Sequence, residues 1–474
     1  MSTPRRAVVG RLVLLALALA AGCATVSTDD GFRDVQALVK ERSGRQIEWQ
    51  RGADAEGELA RAAKKLLHEG DLTVEKAVQA ALIRNPRLGA VYEELGIAQA
   101  DVVRAGLLRN PVLDGAVRWG VGSPEIDLTL TQEFLSILFL PMRTRIAAAQ
   151  LDVVKAQVAA RVLQVEAATR ESFYGVQAEM QLLEMRQEVR TATSASFEFA
   201  KALREAGNIK QLDVDAERIL FDRAQLAVAM SQSAVVAARE RLNVAMGAWG
   251  DDTSWKVASR MPEPSDDADL SRNVERRAID SSLELMRLRS EAAVASREAE
   301  LAGASRGAQD AEAGVSADRA DSEWGVGPAL KLPIPLFDQG QAGVARALAI
   351  LRQHEQEIRS TAIEVRAAAR AAAQRFVTAR AVAIFHRDEM LPAQTRILDA
   401  TLLEYNAMQL GVFQLLSAKQ QQIEAGQSYI EALREYWLAR TALEQILRGA
   451  MPHGSMDPFD APQFGERRGR ESSH

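Results

Sequence analysis

The sequence predicts an α+β fold that is mostly α-helical, in which long antiparallel helical hairpins and pairs of short strands occur twice in tandem. Three observations lead to this prediction. Long stretches without proline carry apolar residues at helical spacing, four short segments alternate apolar and polar side chains, and related segments recur about 200 residues apart. Aromatic residues make up only 5% of the 474 residues, and alanine supplies much of the apolar content, as in helices that pack closely along their length.

Composition and motifs argue against several classes of protein. The net charge is -6 and the basic residues are interspersed with acidic ones, so no nucleic-acid partner is expected. The sequence contains no Walker A motif and no convergent acid–base set, and its five histidines lack metal-ligand spacing, so we expect neither an enzyme nor a bound cofactor or metal. Ser305 fits the G-x-S-x-G hydrolase pattern, but the residues before it have a helical pattern, whereas that motif needs a preceding strand.

The N-terminus predicts export from the cytoplasm. The apolar stretch at 12–21 follows two arginines and is too short for the roughly 20 residues of a spanning helix, but it is typical of an export signal. The residues AAGC at 20–23 resemble a bacterial lipobox, which makes residues 1–22 a lipoprotein signal peptide and Cys23 the lipidated N-terminus of the mature chain. The alternative is an ordinary cleaved signal with an incidental cysteine. No later apolar run is long enough for a transmembrane helix.

The remaining chain divides by repetition and by composition. The segment LTVEKAVQAALIRNPRL near the start of the first repeat has a counterpart, NVERRAIDSSLEL, near the start of the second. Prolines and charges in the last residues predict disorder. The predicted segments are 23–70 (linker and short helix), 71–250 (first repeat), 251–270 (inter-repeat linker), 271–450 (second repeat) and 451–474 (disordered tail).

Each repeat is predicted to begin with a helix. Thr73 is a plausible N-cap for the first one, which should be interrupted at Asn85-Pro86 and then continue to Leu108. The second repeat starts near Asn273. The opening segment of the first repeat therefore has a counterpart at the same register in the second.

Two pairs of strands follow these helices. In EIDLTLTQE, Ile126, Leu128 and Leu130 share one face, and in SEWGVGPALKLPIP the apolar Trp324, Val326, Leu330 and Leu332 alternate with polar or small residues. Fainter strands precede them at 112–120 and 310–318. At about nine residues each, the strands have the length needed to cross a bilayer at a tilt, although soluble hairpins packed on a helical body remain the alternative.

Long helices account for most of each repeat. The first outgoing helix is predicted from Arg143 to about Ala206, and the return helix ends near Gly247. In the second repeat the turn lies at Gly411, and Pro392 predicts a kink or break in the outgoing helix. If the strands cross a membrane, their open edges require other chains to close a barrel, with eight strands from two chains or twelve from three.

The ordered set of segments resembles one known family. The resemblance covers about residues 72–449 and rests on LTVEKAVQAALIRNPRL, AGLLRNPVL, LPIPLFDQGQAGVARA and GVFQLLSAKQQQIEAG. By these segments the chain is similar to the TolC-like outer-membrane efflux proteins. The lead-in GFRDVQALVKERSGRQIEW is most similar to the lipoprotein branch found beside heavy-metal efflux pumps.

The resemblance implies an architecture and a function. It implies a homotrimer whose twelve-stranded outer-membrane β-barrel continues into a periplasmic α-barrel of twelve helices. The trimer would conduct substrate passively, with heavy-metal ions or drugs as candidate cargo, and it would depend on a periplasmic adaptor and an inner-membrane pump. The protein would thus lie in the outer membrane, in contact with lipid, and extend into the periplasm. A periplasmic coiled-coil adaptor or scaffold lipoprotein without a pore is the alternative.

The same resemblance assigns candidate sites. The helical turns farthest from the membrane correspond to the gate and adaptor-contact region of the family, which often carries an acidic ring. Only the first repeat has acidic residues at the equivalent place, and these could instead be helix-start charges at the positive end of the helix dipole. The candidate gate or adaptor-contact residues are Gly207, Asn208, Asp213, Asp215, Glu404, Gly411 and Ser417, and the candidate strand-to-helix junctions are Pro141, Pro333 and Pro335.

Overall fold

The computed structural model is mostly helical, with one four-stranded antiparallel sheet. It describes residues 29–49, 53–119, 124–133, 135–265, 268–305, 311–320, 323–332, 334, 336–337 and 339–452. Several of the predicted features lie outside these residues, namely the signal peptide at 1–22, Cys23, Pro333, Pro335 and all but the first two residues of the tail.

The order of elements in the first half of the chain recurs in the second half. The first half consists of α1 (Asp29–Ser43), α2 (Ala53–His68), α3 (Val74–Arg84), α4 (Pro86–Gly106), β1 (Val112–Arg118), β2 (Glu125–Gln132), α5 (Leu135–Glu205) and α6 (Gln211–Met246). The second consists of α7 (Val274–Ser281), α8 (Leu283–Ala304), β3 (Glu312–Ala320), β4 (Glu323–Lys331), α9 (Gln341–Phe385), α10 (Leu391–Asn406) and α11 (Val412–Leu447). The return helices α6 and α11 each contain 36 residues.

The segment before the first repeat contains two helices, α1 and α2, where the sequence analysis expected a linker and one short helix. Val35, Val39 and Leu67 are at most 1% exposed, so this segment contributes to the core. Its many charges concealed the pattern, because only a narrow stripe of apolar residues on each helix faces inward. The prediction of a linker is therefore wrong for the described part of this segment.

Short-range signals set the ends of the first helices as predicted. The Thr73 hydroxyl accepts a hydrogen bond from the backbone N–H of Lys76 at 3.2 Å, which caps α3. Between α3 and α4, the side chain of Asn85 accepts from the N–H of Arg87 at 2.9 Å and donates to the carbonyl of Ala245 at 2.8 Å. Asn85 thus caps α4 and also fastens it to the end of α6. Helix α4 ends two residues earlier than expected, at Gly106.

Proline has different effects in the two outgoing helices. Helix α5 begins at Leu135, eight residues before the predicted start, and Pro141 lies inside it. In the second repeat, α9 ends in a π-helical turn, His386–Met390, directly before Pro392. A proline inside a helix removes one backbone hydrogen-bond donor, and its ring crowds the preceding turn. The wider π-helical turn provides room for the ring. The kink or break predicted at Pro392 corresponds to this wider turn in a chain that stays helical, whereas the predicted start of α5 is wrong.

The chain divides into two compact units that do not coincide with the sequence repeats. One unit contains Glu93–Lys155, Arg287–Gln356 and the segment ending at Asp34, and it includes the whole sheet. The other contains Val35–Tyr92, Ala156–Met286 and the segment from Glu357. Each unit therefore takes residues from both repeats.

Aromatic residues form the centre of the second unit. The rings of Tyr174 and Trp437 are stacked with centroids 4.6 Å apart, and Tyr436 is fully buried. The predicted inter-repeat linker joins this core, because Trp255 is 2% exposed and its indole N–H donates to the Asn243 side chain at 2.8 Å. The indole of Trp437 donates to the carbonyl of Pro262 at 2.9 Å. The segment between the repeats is thus part of the packed core of this unit.

Replacing Asn85 tests whether this side chain fixes the entry to α4. The Asn85→Ala change removes the cap and leaves the carbonyl of Ala245 without its donor, so we expect the free energy of unfolding to fall by about 1–3 kcal/mol. Thermal unfolding followed by circular dichroism measures the loss. Asn406→Ala, at the exposed last residue of α10, is the matched control and should leave the midpoint unchanged. Equal midpoints for both variants would contradict this role of Asn85.

Candidate functional site

The four strands form a sheet with two chemically distinct faces. Residues that pair across antiparallel strands point to the same face, so the register β1–β2–β3–β4 sorts every strand residue. One face, called here the apolar face, contains Leu113, Val117, Ile126, Leu128, Leu130, Ala313, Val315, Ala317, Trp324, Val326, Pro328 and Leu330, with Gly115, Gln132 and Arg319 as its remaining members. The alternation predicted for β2 and β4 is confirmed by this register.

The apolar face is exposed in the single chain. Leu113 is 68% exposed, Val326 is 71% exposed and Leu330 is 64% exposed. Contiguous exposed apolar surface of this kind marks contact with another protein or with lipid. The face needs a covering that the chain by itself does not supply.

The opposite side of the sheet, called here the polar face, is acidic. The guanidinium of Arg118 pairs with Asp127 at 3.3 Å, and the ammonium of Lys331 pairs with Glu312 at 3.3 Å. Four further carboxylates complete the set, so that six acidic and two basic side chains leave a net charge of -4. The charged residues of the polar face are Asp114, Arg118, Glu125, Asp127, Glu312, Asp318, Glu323 and Lys331.

The two connections from strand to helix differ. In the first repeat β2 ends at Gln132 and α5 begins at Leu135, so Pro141 lies inside the helix and beyond the change of structure. In the second repeat β4 ends at Lys331 and α9 begins only at Gln341. Between them Ile334, Leu336 and Phe337 are 77%, 72% and 92% exposed. The longer connection contains the two prolines, which disfavour helix in the residue before each of them.

The turn between α5 and α6 and the start of α6 contain four of the candidate gate residues. Gly207 has a φ of 78°, and the backbone N–H of Asn208 donates to the carbonyl of Leu203 at 2.9 Å. Asp213 accepts a hydrogen bond from the N–H of Lys210 at 3.1 Å, and Asp215 accepts one from the Gln211 side chain at 2.9 Å. Asp213 thus caps the N-terminus of α6, where a negative charge is favourable.

The turn between α10 and α11 has a similar form. Met408 has a φ of 57°, and the N–H of Gln409 donates to the carbonyl of Glu404 at 2.9 Å. Gly411 precedes the first residue of α11 in an extended conformation. The two turns therefore share a left-handed residue and a backbone hydrogen bond, with a capping carboxylate only in the first.

A cleft of about 160 Å³ near these turns brings Ser417 together with residues that the sequence analysis did not single out. The Ser196 hydroxyl donates to the Glu217 carboxylate at one side of the cleft. Leu220, Phe413 and Leu416 line its other parts. The cleft combines one carboxylate with apolar walls. Of the candidate gate residues, only Ser417 lines it.

A buried ionic cluster was also missed by the sequence analysis. The carboxylate of Glu166, with a side chain only 3% exposed, accepts hydrogen bonds from Arg45 at 3.3 Å, Arg170 at 3.2 Å and Arg448 at 2.7 Å. Arg45 also pairs with Glu75, and Arg448 contacts Glu444 at 3.4 Å. Helix α5, the end of α11 and the segment after α1 therefore meet at one carboxylate.

Burial and charge shift the pKa values of arginines in and beside this cluster. Burial lowers the pKa of Arg45 below its usual range; the attraction of Glu166 opposes this effect, and the positive charge of Arg170 adds to it. At Arg440, burial also acts to lower the pKa, but the hydrogen bond to Glu444 and its charge, together with Tyr436, outweigh this effect and the pKa is raised. Sequence spacing reveals only the pairs on one helix, such as Glu166 with Arg170, because the other partners come from distant segments.

Two other kinds of feature are absent from the residues that the structure describes. No helix among them is long and apolar enough to span a membrane. In the same part of the chain, no group of three or more histidine, cysteine, aspartate and glutamate side chains could hold a metal ion.

Comparison with known proteins gives relatives along most of the chain. No protein-family model matches it. The cobalt-zinc-cadmium resistance protein CzcC of Cupriavidus metallidurans is 23% identical over 398 residues, which cover 80% of this chain and 90% of that protein.

Solved structures share the fold. The outer membrane protein VceC of Vibrio cholerae is 14% identical with a TM-score of 0.64, covering 82% of this chain and 99% of its own. The CmeC outer membrane channel of Campylobacter jejuni is 12% identical with a TM-score of 0.64, and the match covers 89% of this chain and 93% of that one. The MtrE outer membrane channel of Neisseria gonorrhoeae is 14% identical with a TM-score of 0.63, and the match covers 81% of this chain and 91% of that one. The resemblance to the TolC-like outer-membrane efflux proteins is thus confirmed, and the chain has the fold of these channels.

Replacing Glu166 tests whether the ionic cluster stabilises the fold. In Glu166→Gln, three guanidinium groups lose the charge that they share, so we expect the free energy of unfolding to fall by about 3–5 kcal/mol. Chemical denaturation monitored by circular dichroism measures this change. The control is Glu69→Gln, whose side chain is 66% exposed beside Lys65 and should change the stability by less than about 1 kcal/mol. A loss no larger than that of the control would refute the stabilising role.

Proposed function

We propose that this protein is the outer-membrane channel of a tripartite efflux system and conducts its cargo passively to the exterior. Three copies assemble, each contributes four strands to a twelve-stranded barrel, and the helical hairpins line a periplasmic tunnel. A periplasmic adaptor and an inner-membrane pump supply the cargo and the energy.

The two-faced sheet is the observation that supports this proposal most directly. In the single chain β1 and β4 each leave one row of backbone groups unpaired, and lipid offers no partner for such groups. Copies of the chain can pair edge to edge and close a barrel. The exposed apolar face then contacts lipid, and the polar face lines a water-filled lumen. A scaffold lipoprotein without a pore would have no use for an exposed apolar sheet.

Heavy-metal cations are the cargo that the sequence and its relative support best. The relative from Cupriavidus metallidurans is named for resistance to cobalt, zinc and cadmium. The polar face contributes a net charge of -4 from each chain, so three chains line the lumen with acidic side chains. Rings of carboxylates favour the passage of cations over anions. The metal ion is substrate here, and a duct has to release what enters it.

Anchoring and gating complete the proposal. Lipidation at Cys23 would hold the mature N-terminus at the membrane. The turns at Gly207 and Gly411 would form the end that contacts the adaptor and closes the resting channel. The cap that Asp213 forms on α6 supports a structural role for this residue beside the turn at Gly207. Asp215 and Glu217 supply further negative charge next to it.

The first experiment combines the oligomer mass in detergent with single-channel conductance in planar bilayers. The proposal expects a homotrimer that gives discrete openings. The same protein with Cys23→Ser, extracted and assayed in the same way, should still conduct, because the anchor is not part of the pore. A monomer without conductance would contradict the channel and leave the scaffold lipoprotein as the better explanation.

Neutralising the polar face should weaken its preference for cations. The double change Asp114→Asn and Asp318→Asn removes two negative charges per chain from the lumen, so we expect the reversal potential in a KCl gradient to move towards zero. Bilayer recordings under asymmetric salt measure the shift. Asp71→Asn, an exposed carboxylate outside the strands, serves as the control and should leave the reversal potential unchanged. Unchanged selectivity in a conducting double variant would mean that charges elsewhere set the ion preference.

A further inference from the structure

The apolar face of the sheet contains one charged side chain among the described strand residues. The register places Val117, Ile126, Arg319 and Trp324 in one row across the four strands. This row lies near the hairpin ends of the strands, where β1 leads to β2 and β3 leads to β4, and far from the ends that adjoin the helices. Arg319 is thus at one rim of the surface that is otherwise apolar.

Tryptophan residues occur at the same rim. Trp119 directly follows β1 and is 83% exposed, and Trp324 pairs with Arg319 across β3 and β4 and is 51% exposed. Tryptophan is enriched where a protein passes from hydrocarbon to the headgroup level of a membrane. The two indoles therefore place Arg319 at headgroup level when the apolar face contacts lipid.

The surroundings of Arg319 differ from those of the neighbouring arginine on the other face. Arg118 lies on the polar face at the same end of the sheet and pairs with Asp127 at 3.3 Å. For Arg319, the Nε atom is shielded from solvent and has no hydrogen-bond partner among the described residues. No carboxylate of the described strand residues shares its face, since the acidic side chains among them all point to the polar face. The described strands therefore offer Arg319 no negative partner on this face, and a lipid headgroup can supply one.

We propose that Arg319 binds the phosphate group of a membrane lipid at the hairpin end of the sheet. The inference rests on the proposed function, because it requires the apolar face to contact a bilayer. A guanidinium presents several donors in a planar fork that matches a phosphate, and lipid phosphates lie at the level where tryptophan is enriched. Trp324, which pairs with Arg319 across β3 and β4, packs against the upper part of the same lipid. In a trimer the site occurs three times around the rim.

Native mass spectrometry of the detergent-purified protein tests this inference. The probes are dioleoyl phosphatidic acid, which has a phosphate headgroup, and dioleoylglycerol, which has the same chains and no phosphate. We expect the wild-type protein to retain phosphatidic acid in preference to dioleoylglycerol, and Arg319→Gln to bind phosphatidic acid roughly tenfold more weakly. Arg319→Lys keeps the charge without the fork and should give an intermediate loss.

Arg118→Gln is the matched control, because it removes the same charge from the same strand end on the opposite face. It should retain phosphatidic acid as the wild type does. Excess inorganic phosphate separates the two sources of the anion, and it should not displace the lipid, whose chains also contact the apolar face. Displacement of the lipid by inorganic phosphate would mean that Arg319 is a free-anion site and would overturn the lipid assignment.

The oligomer mass and the conductance of each variant distinguish failure of this inference from failure of the channel proposal. If the wild-type protein forms no trimer and no pore, the channel proposal fails and the lipid site fails with it. If Arg319→Gln forms conducting trimers and still binds phosphatidic acid like the wild type, only the lipid site is refuted. Equal losses in Arg118→Gln and Arg319→Gln would also refute it, because net charge would then explain the binding.

Discussion

The unpaired edges of a four-stranded sheet are the constraint on which the rest of this structure depends. Along the outer edges of β1 and β4, the backbone N–H and C=O groups have no strand partner among the described residues, and an apolar environment makes each unpaired group costly. In the proposed channel the apolar face contacts lipid, and strands of other copies have to cover the edges. Each copy would then supply the same register and the same alternation of side chains.

The second unit is stabilised differently, because long helices with small side chains do not form a thick apolar core. Two groups of contacts join its segments: the aromatic group around Tyr174 and Trp437, and the buried carboxylate of Glu166 with its three arginines. A buried ion pair contributes little net stability over an apolar replacement, but it penalises wrong arrangements that leave a charge unpaired. The cluster therefore helps to specify which segments meet.

Much of this fold could be predicted from the sequence, because local signals determine it. Thr73 caps a helix as its position indicates, the alternation at Ile126 and Leu128 gives the correct face, and a π-helical turn precedes Pro392. The prediction of a strand-to-helix junction at Pro141 is wrong. The first turns of a helix tolerate the loss of one backbone hydrogen bond when the neighbouring residues continue the helical pattern. Local signals could not reveal Glu166 or the cleft at Ser417, whose partners are hundreds of residues away along the chain or belong to another helix.

The pairing of β2 with β3 joins the two repeats across the whole first helical hairpin and the segment between them. Closing a loop of that length is slow, because chain entropy must be lost before the contact is gained. The β1–β2 hairpin therefore keeps an apolar face and an open edge until the second half of the polypeptide is available. If the chain is exported as proposed, it is most vulnerable to aggregation in that interval, and a folding helper that shields strand edges would matter most before β3 arrives.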